Sequence, residues 1–146
     1  MSDLHFNVCD ETFARITEPN PDYHPLSEYS KAEQVVVAVW YASGVVQNSG
    51  FQGLFERNYP GDPTLELVSA AFSSLGSSKT TRAFFDAIDS IQMYGHVSAD
   101  AEQRVDLWLK LNKENRDEIE TRFYDGIDEM TLKLSDHISD SNLLPT

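Results

Sequence analysis

Apolar positions recur every three or four residues along most of the chain, the interval of an α-helix with one buried face. The clearest run is near the C-terminus, where Ile119, Phe123, Ile127, Met130, Leu134 and Ile138 predict a helical region over residues 114–139. Asp125-Gly126 is the point at which that region kinks or splits. Leu67, Val68, Ala71, Phe72 and Leu75 predict a helix that stops at Gly76. Asp62-Pro63 marks its start, with Asp as N-cap and Pro at the first helical position. Ala83, Phe84, Ala87, Ile88 and Ile91 predict another over residues 79–94, capped by Ser77 or Ser78 and closed by Gly95. Ser98 caps a helix over 99–113 that buries Ala101, Val105, Trp108 and Leu109. Phe6, Cys9, Phe13 and Ile16 predict a weak helix within 1–18.

Residues 28–47, after an N-cap at Ser27, break this rule, because their centre, VVVAVWYA, is apolar on nearly every face. Its β-branched residues admit a buried strand as the alternative. A length of about twenty residues without a breaker selects a central helix buried all round. Gly44 is a weak point in it or a place of close packing. The next stretch, VVQNSGFQGLFERNYPG over residues 45–61, turns at Asn48-Ser49-Gly50. It continues as a short helix, 51–58, with Phe51, Leu54 and Phe55 on its apolar side, and ends at Pro60-Gly61. Residues 18–25, EPNPDYHP, read as a Pro-rich loop and 141–146 as a frayed tail. The expected fold is all-α, one domain over 1–146 built as a bundle of six or seven helices. Within it, 1–26 form the weak N-terminal helix and its loop.

Charge narrows the function. Eleven Lys and Arg against 24 Asp and Glu give −13 at pH 7. That balance argues against direct binding to nucleic acid or an anionic membrane, which need a basic footprint, and suits a basic protein partner. One cysteine permits no intrachain disulfide and fits a reducing compartment. The N-terminus lacks a basic start followed by an apolar run, and the most apolar window, 35–46, is too short to span a bilayer. These features predict a cytoplasmic protein.

Catalytic motifs are scarce. His5, His24, His96 and His137 are scattered, and none belongs to an HExxH pattern. His5 and Cys9 are one helical turn apart, but no second pair completes a metal site. GFQG, residues 50–53, is too short and aromatic to cradle phosphate. Asp86 and Asp89 read as a solvated helix face. No catalytic residue, metal or cofactor is therefore expected. An enzyme remains an alternative if the fold joins His96 or His24 to carboxylates in a cleft.

The acids of the C-terminal region carry more information. Glu118, Asp125, Glu129, Asp136 and Asp140 fall within ~60° of one another if the helix is continuous, at ~100° per residue. From Glu118 to Asp140 the row would be ~33 Å long, close to one turn of B-DNA at roughly 34 Å. Asp117 and Asp128 flank it. Arg122 and Lys133 lie four residues after Glu118 and Glu129, a spacing that neutralises part of the row. An amphipathic helix also places charge opposite its core whatever its function. Two readings follow: a carboxylate surface resembling DNA phosphates, or an interaction or immunity-type surface that works by shape.

Val46, Asn48, Gly50, Phe51, Phe55 and Asn58 resemble the signature of a bacterial family of small acidic helical proteins that includes a DNA mimic. Ser49 departs from the pattern, which has the first glycine of a Gly-Gly pair there. Leu75-Gly76, Lys79-Thr80 and Phe123-Tyr124 extend the likeness over residues 28–140. The resemblance implies an all-helical bundle, a homodimer, and a mimic that occupies the DNA-binding surface of a transcription factor. Within the signature, Asn48 and Gly50 are expected to form the turn, and Phe51 and Phe55 to plug the core.

Overall fold

The long central helix begins at a reciprocal cap. In the computed structural model, which describes residues 3–18 and 25–144, the Ser30 hydroxyl accepts the Glu33 N–H at 3.2 Å. The Glu33 carboxylate accepts the Ser30 N–H at 3.0 Å. This Ser-x-x-Glu capping box starts α2, Lys31–Phe55. The expected cap, Ser27, has Ser30 three residues later and no acid to close a box. It lies instead in a 3₁₀ turn, Leu26–Glu28. The strand alternative for 28–47 is thereby set aside.

Helix α2 is apolar on every face because it is surrounded. Helices α1 (Asp3–Thr17), α3 (Glu66–Ser74), α5 (Ala101–Lys110), α6 (Lys113–Asp125) and α7 (Ile127–Asp140) all pack on it. Helix α4 (Lys79–Ser90) lies mainly on α6, and α1 mainly on α7. The structure is all-α, with seven helices among the described residues and one two-stranded ladder. No helix among those residues is long and apolar enough to cross a membrane.

The expected turn at Asn48-Ser49-Gly50 is narrower than the sequence implied. Asn48 and Ser49 stay helical, and the break is confined to Gly50 at φ +66° and ψ −175°. In an unbroken helix the Phe51 N–H would donate to the Gln47 carbonyl. Here it donates to Glu120 Oε2 at 2.7 Å. The bend sends Phe51 and Phe55 into the core, where Phe51 meets Trp108 and Phe123 at ring centroid distances of 5.5 and 5.3 Å. The helical segment after it ends at Phe55, short of the expected Asn58.

Other boundaries moved for local reasons. Asp62 does cap α3, but its carboxylate reaches the Leu67 and Val68 N–H groups at 2.9 and 3.0 Å. An extra turn, with Leu65 at φ +60°, delays the helix to Glu66. Ser78 caps α4 by accepting the Thr81 N–H. That helix stops at Ser90 because Tyr94 and Gly95, at φ +54° and +80°, form a two-residue hairpin turn. Two positive φ values at successive residues suit the twist of β1 (Gln92–Met93) and β2 (His96–Val97). Asp100 rather than Ser98 caps α5, and the Ser98 hydroxyl accepts the Asp100 N–H instead.

The C-terminal helical region splits at Gly126. Thr80, in the first turn of α4, donates its hydroxyl to the Phe123 carbonyl at 2.7 Å. A Cβ on Gly126 would lie 2.5 Å from the Thr80 nitrogen. The N-terminus of α4 therefore sits at the joint between α6 and α7, and only glycine lets it approach. The periodic face survives the split, since Ile119, Phe123, Met130, Leu134 and Ile138 are all buried and Ile127 packs against them. Most of the expected Pro-rich loop, with His24, lies outside the described residues, as do residues 145 and 146. Leu143 packs on the core, and its carbonyl accepts from Arg15 of α1.

Candidate interaction surfaces

All seven acids singled out on α6 and α7 are exposed, but they do not form one rod. Glu118 and Asp125 lie on α6, and Gly126 separates them from Glu129, Asp136 and Asp140 on α7. The 33 Å continuous row depended on an unbroken helix and lapses at that joint. What remains on α7 is compact. At ~100° per residue the three α7 acids fall within ~40° of one another, opposite Met130, Leu134 and Ile138, over ~17 Å.

Ion pairing divides the set further. Arg122 Nε donates to Glu118 at 2.7 Å, and its Nη2 donates to Asp86 at 2.7 Å. These hydrogen bonds, Glu118 first and Asp86 second, hold the guanidinium above its usual pKa. Lys113 pairs with Asp117 at 2.6 Å. The i,i+4 pair expected between Glu129 and Lys133 does not form among the described residues. Lys133 extends toward Gly76, its Nζ 3.8 Å from where a Cβ there would sit. Asp128 is exposed in the first turn of α7.

The signature residues serve mostly the core. Gly50, Phe51 and Phe55 form the bend and its aromatic plug, and the exposed Asn58 accepts from Arg104 at 3.2 Å. Two residues that sequence reasoning missed hold this region together. Glu120 caps the bend, and Arg104 is wholly buried with its guanidinium spent on backbone carbonyls. Arg104 left a signal, for it sits four residues before Trp108, on the apolar face of its helix. Glu120 left none, because its partner is 69 residues away.

Among the described residues His5 and Cys9 share the face of α1 that packs on α7, while His137 bonds to α2 and His96 lines a groove. His5 Nδ1 hydrogen-bonds with Ser135 Oγ at 3.2 Å, and His137 Nε2 donates to the Ala32 carbonyl at 2.9 Å. His96 lines an open groove of about 460 Å³ with Glu66 and Asp89. All three are exposed, and none hydrogen-bonds another among the described residues. No group of three or more His, Cys, Asp and Glu among those residues could hold a metal ion.

Cys9 is fully buried on α1 and donates to the Thr131 carbonyl at 3.5 Å. Burial, and secondarily the Asp10 charge, pushes its thiol from 9.0 up to about 12. Native protein at pH 8 should therefore resist a charged thiol reagent, with labelling only as fast as the chain opens. The unfolded chain releases this proton near pH 9 while the native state keeps it. Cys9 should thus lower stability as pH rises from 9.0 toward about 12, an effect that a Cys9→Ala variant would lack. Rapid labelling of folded protein would contradict the burial argument.

No curated protein and no solved structure matches the chain. The model of the DMP19-like protein family matches residues 27–141, the whole bundle except α1, and the chain belongs to that family.

Proposed function

We propose that the protein is a non-enzymatic acidic protein of the cytoplasm. It binds a basic, DNA-binding protein by presenting carboxylates where that partner expects phosphates. The family is named for DNA mimicry, and the net charge of −13 suits the role. The observation that carries the reading is on α7. Glu129, Asp136 and Asp140 share one exposed face, and Lys133, the only Lys or Arg of that helix, extends toward Gly76. Asp125 and Asp128 extend the surface. Glu118 and Asp117, already paired with Arg122 and Lys113, contribute less.

Reversing Glu129, Asp136 and Asp140 to lysine together should weaken partner binding about 10-fold or more, since each exposed pair contributes about 0.2–1 kcal/mol. Binding of the unaltered chain should fall steeply with salt and compete with duplex DNA. These are measured by titrating a DNA-binding partner captured at low salt. Affinity indifferent to reversal and to salt would sink the mimic reading and favour a shape-based surface. Tyr94, 96% exposed at the tip of the hairpin in a strained positive-φ conformation, would then be the first residue to substitute.

A further inference from the structure

A trough runs between α1, α2 and the start of α7, on the side of α7 away from its acid row. Its deeper part, about 280 Å³, has an aromatic wall and a carboxylate. Phe6 meets Trp40 edge-on, with ring centroids 5.3 Å apart, and Asp10 accepts the Trp40 indole N–H at 3.0 Å. Trp40, Gly44 and Asn48 follow at intervals of four along α2 and so line one face.

Two of these residues have no part in the fold that would explain them. Gly44 weakens the middle of a helix, yet a Cβ there would meet nothing within 4 Å. Asn48 was expected to make a turn but is helical and exposed, and its side chain has no hydrogen bond among the described residues. What Gly44 and Asn48 share is the trough. They line both its deeper part and a second depression that also includes Asp10 and Trp40.

The chemistry of the lining follows from its hydrogen bonds. The indole N–H is spent on Asp10. Ser43 donates to Met130 Sδ at 3.3 Å, and Thr131 donates to the Ile127 carbonyl at 2.8 Å. Gln47 turns its amide N–H₂ to the Ser43 carbonyl at 3.1 Å, which leaves Oε1 to accept. The trough thus offers one carboxylate, aromatic faces and the carbonyl oxygens of Gln47 and Asn48, beside the unspent N–H groups of those two amides. The carboxylate of Asp10 beside the Phe6 and Trp40 rings suits a cation with several donors and flat faces to lay on a ring. A guanidinium has five N–H donors and no acceptor, and it stacks on aromatic faces.

We infer that the trough binds an arginine side chain presented by another protein, held between the Phe6–Trp40 wall and the acceptors of Asp10, Gln47 and Asn48. The deeper part has room for one side chain, and its continuation into the second depression leaves a path for the attached backbone. Arg57 lines only that second depression, so the guanidinium belongs beside Phe6 and Asp10. The inference shares with the proposed function a basic partner, but it does not use the acid row.

The test is a titration followed by the indole N–H resonance of Trp40. Trp108, 2% exposed in the core, is the internal control. The probe is arginine capped as its acetyl amide. It should move the Trp40 signal and leave Trp108 in place. Capped citrulline, nearly the same shape without the charge, should bind at least about 10-fold more weakly. Gly44→Leu fills the trough with a good helix former and should weaken binding at least about 10-fold in a chain that stays folded. Asp10→Asn, which keeps the bond to Trp40, should weaken it similarly. Citrulline binding as well as arginine, or a Gly44→Leu chain binding unchanged, would overturn the inference. Free L-arginine binding more tightly than the capped form would overturn the assignment to a protein partner. The triple reversal of Glu129, Asp136 and Asp140 should leave the capped-arginine shift intact, so loss of either effect alone identifies which reading failed.

Discussion

Arg104→Met should lower the folding free energy by about 3–5 kcal/mol, read as a fall in the urea midpoint with little change in slope. Methionine fills much of the volume and donates nothing. The guanidinium it replaces is wholly buried and donates to the carbonyls of Phe55, Pro63, Ser98 and Arg57 at 3.1, 3.1, 2.8 and 2.8 Å, as well as to Asn58. These acceptors come from the end of α2, the loop after it and the segment before α5. One side chain therefore ties the end of α2 to the loop after it and to the segment before α5. Burial pulls its pKa below the usual arginine value, and the Asp100 charge offsets part of that pull. Arg104→Lys keeps the charge but not the planar fork, and should recover only a small part of the loss. A methionine variant with the wild-type midpoint would mean that these carbonyls find water instead.

Gly50→Ala should cost about 2–4 kcal/mol, the sum of backbone strain and a damaged cap. At φ +66° and ψ −175° the residue occupies a region open in practice only to glycine. An added Cβ would also lie 2.5 Å from Glu120 Oε2. The carboxylate can move aside, but doing so leaves the Phe51 N–H without its partner. Glu120→Ala alone removes the cap without the strain and should cost about 0.5–2 kcal/mol. If the clash contributes, Gly50→Ala should cost less in the Glu120→Ala background than in the wild type, which a double-mutant cycle by denaturant unfolding measures. Equal costs in both backgrounds would assign the whole effect to backbone strain.

These two residues show where sequence reading stops. Gly50 is conspicuous in the sequence, and the bend was expected at Asn48-Ser49-Gly50. The width of the bend was not legible, because the group that satisfies Phe51 comes from α6. Arg104 could have been suspected from its place on an apolar face, but its acceptors are scattered over more than forty residues of chain. The capping box Ser30-x-x-Glu33, by contrast, is fully visible in the sequence and prevails over Ser27, which has no acid three residues on.

The site divides in the same way. That Glu118, Asp125, Glu129, Asp136 and Asp140 face water could be read from periodicity, since a residue opposite a buried stripe has nowhere else to point. Whether they line up could not, because Gly126 bends according to what presses on it, and that is Thr80 of α4. Which carboxylates are already neutralised also depended on packing. The Glu118–Arg122 pair follows from spacing, but Asp86 reaches Arg122 from another helix, and Lys133 leaves Glu129 for Gly76. The trough was least legible of all, since Phe6, Trp40 and Thr131 carry no common motif and meet only when α1 lies across α2 and α7.

Helix identity, the buried faces and the sign of the surface therefore belong to the sequence, because they depend on neighbours three and four residues away and on simple sums of charge. Where the helices bend, which charges stay unpaired and what the grooves can hold belong to the folded chain. Each rests on a hydrogen bond or contact between groups tens of residues apart, and folding alone brings those groups together.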